Sequence, residues 1–203
     1  MKRLAVITIL LFACLGARAQ QDFGIWQYFT ISKSFGHGIS AILRLEYRSK
    51  DRAQELDCAL VMPGITYRPV SWFQTGFYYD FAISHNRPST FAGRHVLLPF
   101  IQFQKSFGDC TVSIREMGQY VVTKSFLLRS KLQVSYAFPE HKITPLVAVE
   151  SYTDKNLARL TAFGGIQYRI GKRSTIEAGY SFYYLASAKP GRHIVNFGYS
   201  IRL

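Results

Sequence analysis

The chain has 203 residues, which suits one domain or at most two. Hydrophobic residues make up 48% of it and charged residues 18%, so it is too apolar to be a disordered chain. Beyond residue 19, no apolar run approaches the roughly 18 residues that a membrane helix needs, which excludes a helical membrane protein. The chain contains 25 Lys and Arg against 12 Asp and Glu, a formal net charge of +13.

The N-terminus has the pattern of a secretory signal peptide. A basic start (residues 1–3) is followed by an uncharged apolar stretch (residues 4–15) and by a small-x-small cleavage site, Ala17-Arg18-Ala19. We therefore predict a signal peptide over residues 1–19 and one exported domain over residues 20–203. Removing the three basic residues of the signal peptide would leave 22 basic and 12 acidic residues, a net charge of +10.

The rest of the chain alternates between apolar and polar residues at period two, the signal of a half-buried strand. At the C-terminal end, for example, Val195, Phe197 and Tyr199 alternate with polar or small residues. No linker divides the body. The pattern predicts eleven strands, over residues 23–33, 38–48, 56–68, 71–84, 94–106, 110–121, 126–138, 143–152, 157–170, 174–186 and 192–203.

These strands favour an antiparallel up-and-down transmembrane β-barrel of about ten to twelve strands. Most are longer than the roughly 5–6 residues usual in soluble proteins and suit a tilted membrane-spanning strand. The polar faces carry charges in mid-strand, and Tyr and Phe are frequent near the strand ends of the apolar faces. A soluble periplasmic β-protein with a sandwich core is the alternative fold, because period-two alternation alone does not separate the two.

The count and the connections carry two further expectations. Single-chain bacterial barrels have an even number of strands, so either segment 23–33 is not a wall strand, which gives ten, or a division was missed, which gives twelve. Short connections at 34–37, 69–70, 107–109, 139–142 and 171–173 would be periplasmic turns. Mostly longer ones at 49–55, 85–93, 122–125, 153–156 and 187–191 would be extracellular loops.

Several short motifs resemble a known family. They are Asp22-Phe23-Gly24-Ile25-Trp26, Leu43-Arg44-Leu45-Glu46-Tyr47-Arg48, Gly93-Arg94-His95, Ile114-Arg115-Glu116 with Gln119-Tyr120, and Leu128-Arg129-Ser130-Lys131-Leu132. They resemble a small outer-membrane barrel family known as domain of unknown function 2490, through nearly the whole mature chain. The resemblance implies a β-barrel in a Gram-negative outer membrane. It implies no established activity and supplies no catalytic residues.

Charged residues in mid-strand form the main candidate site. Facing the interior, they would form a network of Arg44, Glu46, Arg48, Asp80, Arg129, Lys131, Arg159, Arg169 and Glu177, with Asp57, Glu116 and Glu150 as further counterions. Buried charges must be paired, so we favour a salt-bridged plug of side chains. The functional interpretation is a polar pathway with a cationic bias. A barrel of ten to twelve strands lies nearer to the filled than to the open end of the size range.

A second set of candidates lies at the predicted outer rim: His85, Arg94, His95 and His193. With Ser84 or Ser187, these residues define the class-distinct alternative, a barrel-embedded hydrolase that acts on envelope lipids through a Ser/His pair. The chain has no Gly-x-Ser-x-Gly elbow, and we assign it no catalytic residue.

The sequence points to no cofactor, metal or nucleic acid. It contains no His-Glu-x-x-His or Cys-x-x-Cys, and its basic residues form no long cluster. Basic loop residues would instead face outer-membrane lipids, including lipopolysaccharide phosphates: Lys50, Arg52, Arg87, Lys155, Lys189 and Arg192. Cys58 and Cys110 fall at opposite ends of non-neighbouring strands, so we predict no disulfide between them.

The sequence therefore predicts an outer-membrane β-barrel with a structural or binding role, or with restricted passage of small solutes. It leaves the bound or transported ligand and the oligomeric state open.

Overall fold

The computed structural model describes residues 23–87, 90–122, 125–138, 140–185 and 188–203. The predicted signal peptide, residues 1–19, lies outside them. No helix in these ranges is long and apolar enough to cross a membrane.

The described residues form eleven long strands that close into one barrel. Long runs of period-two alternation keep one face of each strand apolar, and this local pattern places the strands close to where the sequence predicts them. They are β1 (Phe23–Gly36), β2 (Ile39–Lys50), β3 (Glu55–Val70), β4 (Phe73–Arg87), β5 (Thr90–Phe107), β6 (Cys110–Val121), β7 (Ser125–Tyr136), β8 (Ile143–Thr153), β9 (Leu157–Ile170), β10 (Ser174–Leu185) and β11 (Ala188–Arg202).

The barrel closes through a parallel pair, β1 with β11, whereas every other pair is antiparallel. Phe23 pairs with His193 and Ser32 with Arg202 along this seam. The prediction of about ten to twelve strands is confirmed, since the barrel has eleven. The expectation of an even number was wrong, because segment 23–36 is a full wall strand. With eleven strands, the first and last run in the same direction, and parallel pairing is what satisfies both of their free edges.

We name the two ends of the barrel after the residues that lie there. At the Phe23 end, β1 begins and the chain connects at 51–54, 88–89, 122–124, 154–156 and 186–187. At the Leu203 end, β11 finishes and the chain connects at 37–38, 71–72, 108–109, 137–142 and 171–173. The predicted contrast between short and long connections is therefore wrong. Strands β4, β5 and β11 extend into the predicted loops, and the longest connection lies at the Leu203 end.

The outer face of the wall is an apolar belt. Large hydrophobic side chains are exposed there along every strand, for example Ile65 at 62% and Val147 at 59%. Aromatic rings gather near both margins of the belt. Trp72 stacks on Phe103 near the Leu203 end, and Phe182 packs against His193 near the Phe23 end. Such girdles flank the apolar band of membrane barrels.

The interior has one apolar side. Val96, Leu98, Phe100, Met117 and Val121 form a buried cluster on β5 and β6. A second cluster of Cys58, Leu60 and Ala82 lies on β3 and β4, and Met62 packs against both clusters. Part of the barrel is therefore filled by apolar side chains, and the charged residues occupy the remaining wall.

Two of the three cysteines, Cys58 and Cys110, fall within the described residues, and they are far apart in this topology. Cys58 lies near the Phe23 end of β3, and Cys110 begins β6 at the Leu203 end. Both thiols are free.

Candidate functional site

All nine predicted network residues are on the inner face of the wall, and eight of them are buried or half-buried there. They alternate with exposed hydrophobic residues: Leu43 and Leu45, for example, point outward on either side of Arg44. The eight are Arg44, Glu46, Arg48, Asp80, Arg129, Lys131, Arg159 and Glu177. Arg169 is on the same face of β9 as Arg159 and Gln167, but it is exposed near the Leu203 end of the strand.

On β2, two arginines enclose one carboxylate, and we call Arg44, Glu46 and Arg48 the Glu46 cluster. Arg48 Nε lies 2.6 Å from Glu46 Oε1, and Arg44 Nη2 lies 2.9 Å from Oε2. The Glu46 side chain is only 5% exposed. The guanidiniums also stack on aromatic rings of β1, Arg44 over Tyr28 at 4.0 Å and Arg48 over Trp26 at 4.4 Å. Both oxygens of this carboxylate are thus used in tight, charge-assisted contacts.

On β6 to β9, four cations surround one carboxylate, and we call Arg115, Arg129, Lys131, Glu150, Tyr152 and Arg159 the Glu150 cluster. Arg115 Nη2 and Arg129 Nη2 share Glu150 Oε1, at 3.3 Å and 3.1 Å. Tyr152 donates its hydroxyl to Glu150 Oε2 at 2.9 Å. Lys131 lies directly opposite Glu150 in the strand register.

Tyr152 also organises the cations of this cluster. Its ring contacts the guanidinium of Arg159 at 3.0 Å and that of Arg129 at 4.6 Å from the ring centroid. Arg159 Nη1 donates to the hydroxyl of Tyr183 at 2.7 Å. The aromatic residues therefore hold the guanidiniums in place, while one carboxylate offsets only part of their charge.

The remaining interior acids have separate environments. Glu177 accepts hydrogen bonds from the hydroxyl of Tyr28 and from Gln167 Nε2, the latter at 2.7 Å. Asp80 is buried, and its Oδ1 has no hydrogen-bond partner.

The predicted rim residues are divided between the two faces of the wall. Arg94 points inward beside buried Val96, whereas His95 points outward and bonds to the hydroxyl of Tyr79 at 2.5 Å. His193 also points outward, because the next residue, Ile194, is buried on the inner face. His193 bonds to the hydroxyl of Tyr180. The side chain of His85 and the whole of Ser187 lie outside the described residues.

The Ser/His pair of the hydrolase hypothesis does not form between Ser84 and His95. Ser84 pairs with buried Cys58 on the inner face, and His95 projects from the outer face. Ser84 pairs with Ala92 on β5, and His95 lies three residues further along that strand. Because successive side chains of a strand point to opposite faces, Ser84 and His95 lie on opposite sides of the wall. Across the described ranges, no group of three or more His, Cys, Asp or Glu could hold a metal ion.

Glu116 is a correction to the predicted set of counterions. It lies between inward-facing Arg115 and buried Met117, so its side chain points to the outer face. There it accepts a hydrogen bond from Ser130 Oγ at 2.6 Å. Segment 110–121 alternates less cleanly than other strands, which is why its register could not be read from the sequence.

Arg115, Tyr28 and Tyr152 are among the interior residues that were absent from the predicted network. Arg115 belongs to a family motif but carried no assigned role, and its inward direction follows from the β6 register. The tyrosines read as ordinary apolar-face aromatics. Their alternation along the strand was the feature that could have placed them inside. Tyr28 pairs with Glu46 and Tyr152 pairs with Arg129, so both tyrosines share the inner face with these charged residues.

Together, the fold and its interior define a closed β-barrel with a charged, partly filled lumen. A family model described as "Protein of unknown function (DUF2490)" matches residues 23–193, and the chain belongs to that family. A search of curated proteins finds no significant match. Among solved structures, the chain is similar to the KdgM porin, with a TM-score of 0.50 and 15% identity over 76% of this chain and 81% of that one. This likeness concerns the fold alone.

Proposed function

We propose that this chain is exported by a cleaved signal peptide and resides in the outer membrane of a Gram-negative bacterium. The basic, apolar and small-x-small segments of residues 1–19 support export. The continuous apolar belt with aromatic margins supports the membrane location, since a water-soluble protein rarely exposes contiguous apolar surface of this extent.

We further propose that the barrel gives restricted passage to small solutes, with a preference for anions. The observation that carries this proposal is the excess of partly exposed arginine side chains inside a closed barrel. The side chains of Arg44, Arg48 and Arg115 face inward and are 32%, 25% and 25% exposed, and Arg44 and Arg115 lie in mid-strand. Cationic rings and patches favour anions in pores.

The apolar side of the interior sets the size limit. The clusters on β3 to β6 occupy lumen volume that a general porin would leave open. Near the Phe23 end, the cavity lined by Trp26, Arg48, Asp57, Tyr183 and Arg192 has a volume of about 30 Å³, room for about one water molecule. Both features support passage of small solutes only.

The first test is the membrane location. Tag-free protein is fractionated, and its electrophoretic mobility is compared with and without boiling. Recovery in the outer membrane with a heat-dependent mobility shift is expected for a closed, stable barrel. Recovery in the soluble periplasm would contradict the proposal, and the apolar belt would then have to be a protein interface.

The second test is conductance in planar bilayers under a KCl gradient. A small conductance is expected, with a reversal potential that indicates anion preference. Lys131→Gln removes an interior cation and should reduce that preference. Lys105→Gln removes the same charge from the outer face of β5, where Lys105 lies over the Phe107 ring, and should leave the preference unchanged. Absence of any conductance would favour a plugged, structural barrel.

The basic residues at the Phe23 end suit contact with lipopolysaccharide phosphates. Arg52 and Lys155 are exposed there in the connections 51–54 and 154–156. Anionic headgroups attract each nearby cation by about 1 kcal/mol. Arg52→Gln combined with Lys155→Gln should weaken co-purification of lipopolysaccharide, whereas Lys142→Gln at the Leu203 end should not. Equal amounts of bound lipid in all three proteins would rule out this role.

A further inference from the structure

The Glu150 cluster contains far more hydrogen-bond donors than acceptors. Each arginine carries five N–H groups and Lys131 carries three, whereas Glu150 has two oxygens. One of those oxygens serves both Arg115 and Arg129, and the other accepts from Tyr152. The Nε atoms of Arg115, Arg129 and Arg159 are buried and have no partner. A buried donor without an acceptor is costly, so this cluster is short of negative charge and of acceptor atoms.

The strand register makes this a built arrangement rather than a chance grouping. Arg115, Lys131 and Glu150 stand side by side on β6, β7 and β8. Arg129, Tyr152 and Arg159 form the adjacent row on β7, β8 and β9. Both rows face the lumen from rigid strands, and Tyr152 contacts two of the guanidiniums. Groups that are already fixed lose little conformational entropy when a ligand binds.

The Glu46 cluster provides an internal contrast. It has two cations for one carboxylate, at 2.6 and 2.9 Å, whereas the shared contacts to Glu150 are longer, at 3.1 and 3.3 Å. The Glu46 cluster is close to saturated, which suits a structural role. The Glu150 cluster keeps three positive charges that its own carboxylate does not offset.

We propose that the Glu150 cluster is a binding site for an oxyanion, a carboxylate or phosphate group carried by a small solute in the lumen. Arg115, Arg129 and Arg159 would donate to the anion, and Lys131 would add charge. Guanidinium groups suit both ligands because their paired N–H groups match two oxygens of a carboxylate or phosphate. Glu150 competes with the ligand for the same donors and so tunes the affinity. This inference rests on the proposed function, which gives solutes access to the lumen.

The test uses the full mature barrel, folded in detergent and checked by heat-modifiable mobility. Isothermal titration with inorganic phosphate, with tricarballylate and with chloride measures binding without any requirement for conductance. We expect saturable binding of phosphate or tricarballylate, and none of chloride. The ratio of the two affinities distinguishes a phosphate-bearing from a carboxylate-bearing solute.

Three variants make the test specific. Arg129→Gln should weaken oxyanion affinity by about tenfold or more, because a hydrogen bond to a charged group is lost. Glu150→Gln should strengthen it, since the competing carboxylate is neutralised, whereas a merely structural cluster would only lose stability. Lys105→Gln, on the outer face of β5, should leave affinity within about twofold.

The outcomes separate this inference from the proposed function. Anion-selective conductance without oxyanion binding would overturn the site and leave the passage proposal standing. Binding without conductance would overturn passage and keep the site. Equal oxyanion affinities in the wild type, Arg129→Gln and Glu150→Gln would place any binding elsewhere and overturn the assignment.

Discussion

The ring of Tyr28 lies directly over Gly198, on the lumen side of the seam where the first and last strands meet. From β1 it crosses β11 and donates its hydroxyl to Glu177 on β10. A Cβ atom at position 198 would collide with the ring and its hydroxyl. The absence of a side chain at Gly198 therefore lets one tyrosine link three strands across the parallel closure.

Gly198→Ala should destabilise the barrel by about 1–3 kcal/mol, because the added methyl group displaces Tyr28 from Glu177 and overpacks the seam. The measurement is urea-induced unfolding in detergent micelles. Gly164→Ala is the matched control, since a Cβ there meets nothing within 4 Å. Equal midpoints for the two variants would mean that the seam does not depend on this contact.

Glu46→Gln should destabilise the fold by about 3 kcal/mol, because it leaves two interior arginines without their carboxylate. Glu55→Gln removes a surface partner that is 52% exposed and 3.9 Å from Lys50, and should cost under about 1 kcal/mol. The same unfolding measurement compares them. If the two variants are equally stable, lumen water must screen the Glu46 cluster as bulk water screens a surface pair.

The membrane setting predicts a depth-dependent response on the outer face. Ile166 and Ile170 lie on the same face of β9, at 48% and 44% exposure, but Ile166 is nearer mid-strand. In a bilayer, Ile166→Arg should cost about 2–4 kcal/mol and Ile170→Arg about 0–1 kcal/mol. Stability is measured by refolding into lipid vesicles. In a soluble protein both variants would have nearly the stability of the wild type, and that result would contradict the membrane location.

The proposed orientation places the Phe23 end outside the cell. An epitope inserted in the connection 51–54 should be reached by antibody on intact cells. One inserted at 171–173, at the Leu203 end, should be reached only after the outer membrane is permeabilised. The permeabilised sample controls for expression of both proteins, and the reverse pattern would invert the barrel.

Much of the wall could be read from the sequence, because strand alternation is local. The apolar phase of β9 and β11 alone fixes which side chains point outward. The observed bounds of β9 are the predicted ones, whereas β11 begins earlier than predicted, at Ala188. The alternation within β2 and β7 likewise predicted that Arg44, Glu46 and Arg129 face the interior. This prediction was wrong for Glu116. A shift of one residue in the alternation of β6 places a side chain on the outer instead of the inner face.

The sequence by itself determined an all-β chain with two unlike strand faces, since each residue's face depends only on its neighbours along the chain. The tertiary structure alone decided that β1 closes on β11, because edge strands more than 150 residues apart pair only when the whole sheet curls shut. It also decided which charges meet. Arg115, Arg129 and Glu150 come from three strands, and the cross-strand register, not any local motif, sets one carboxylate among four cations.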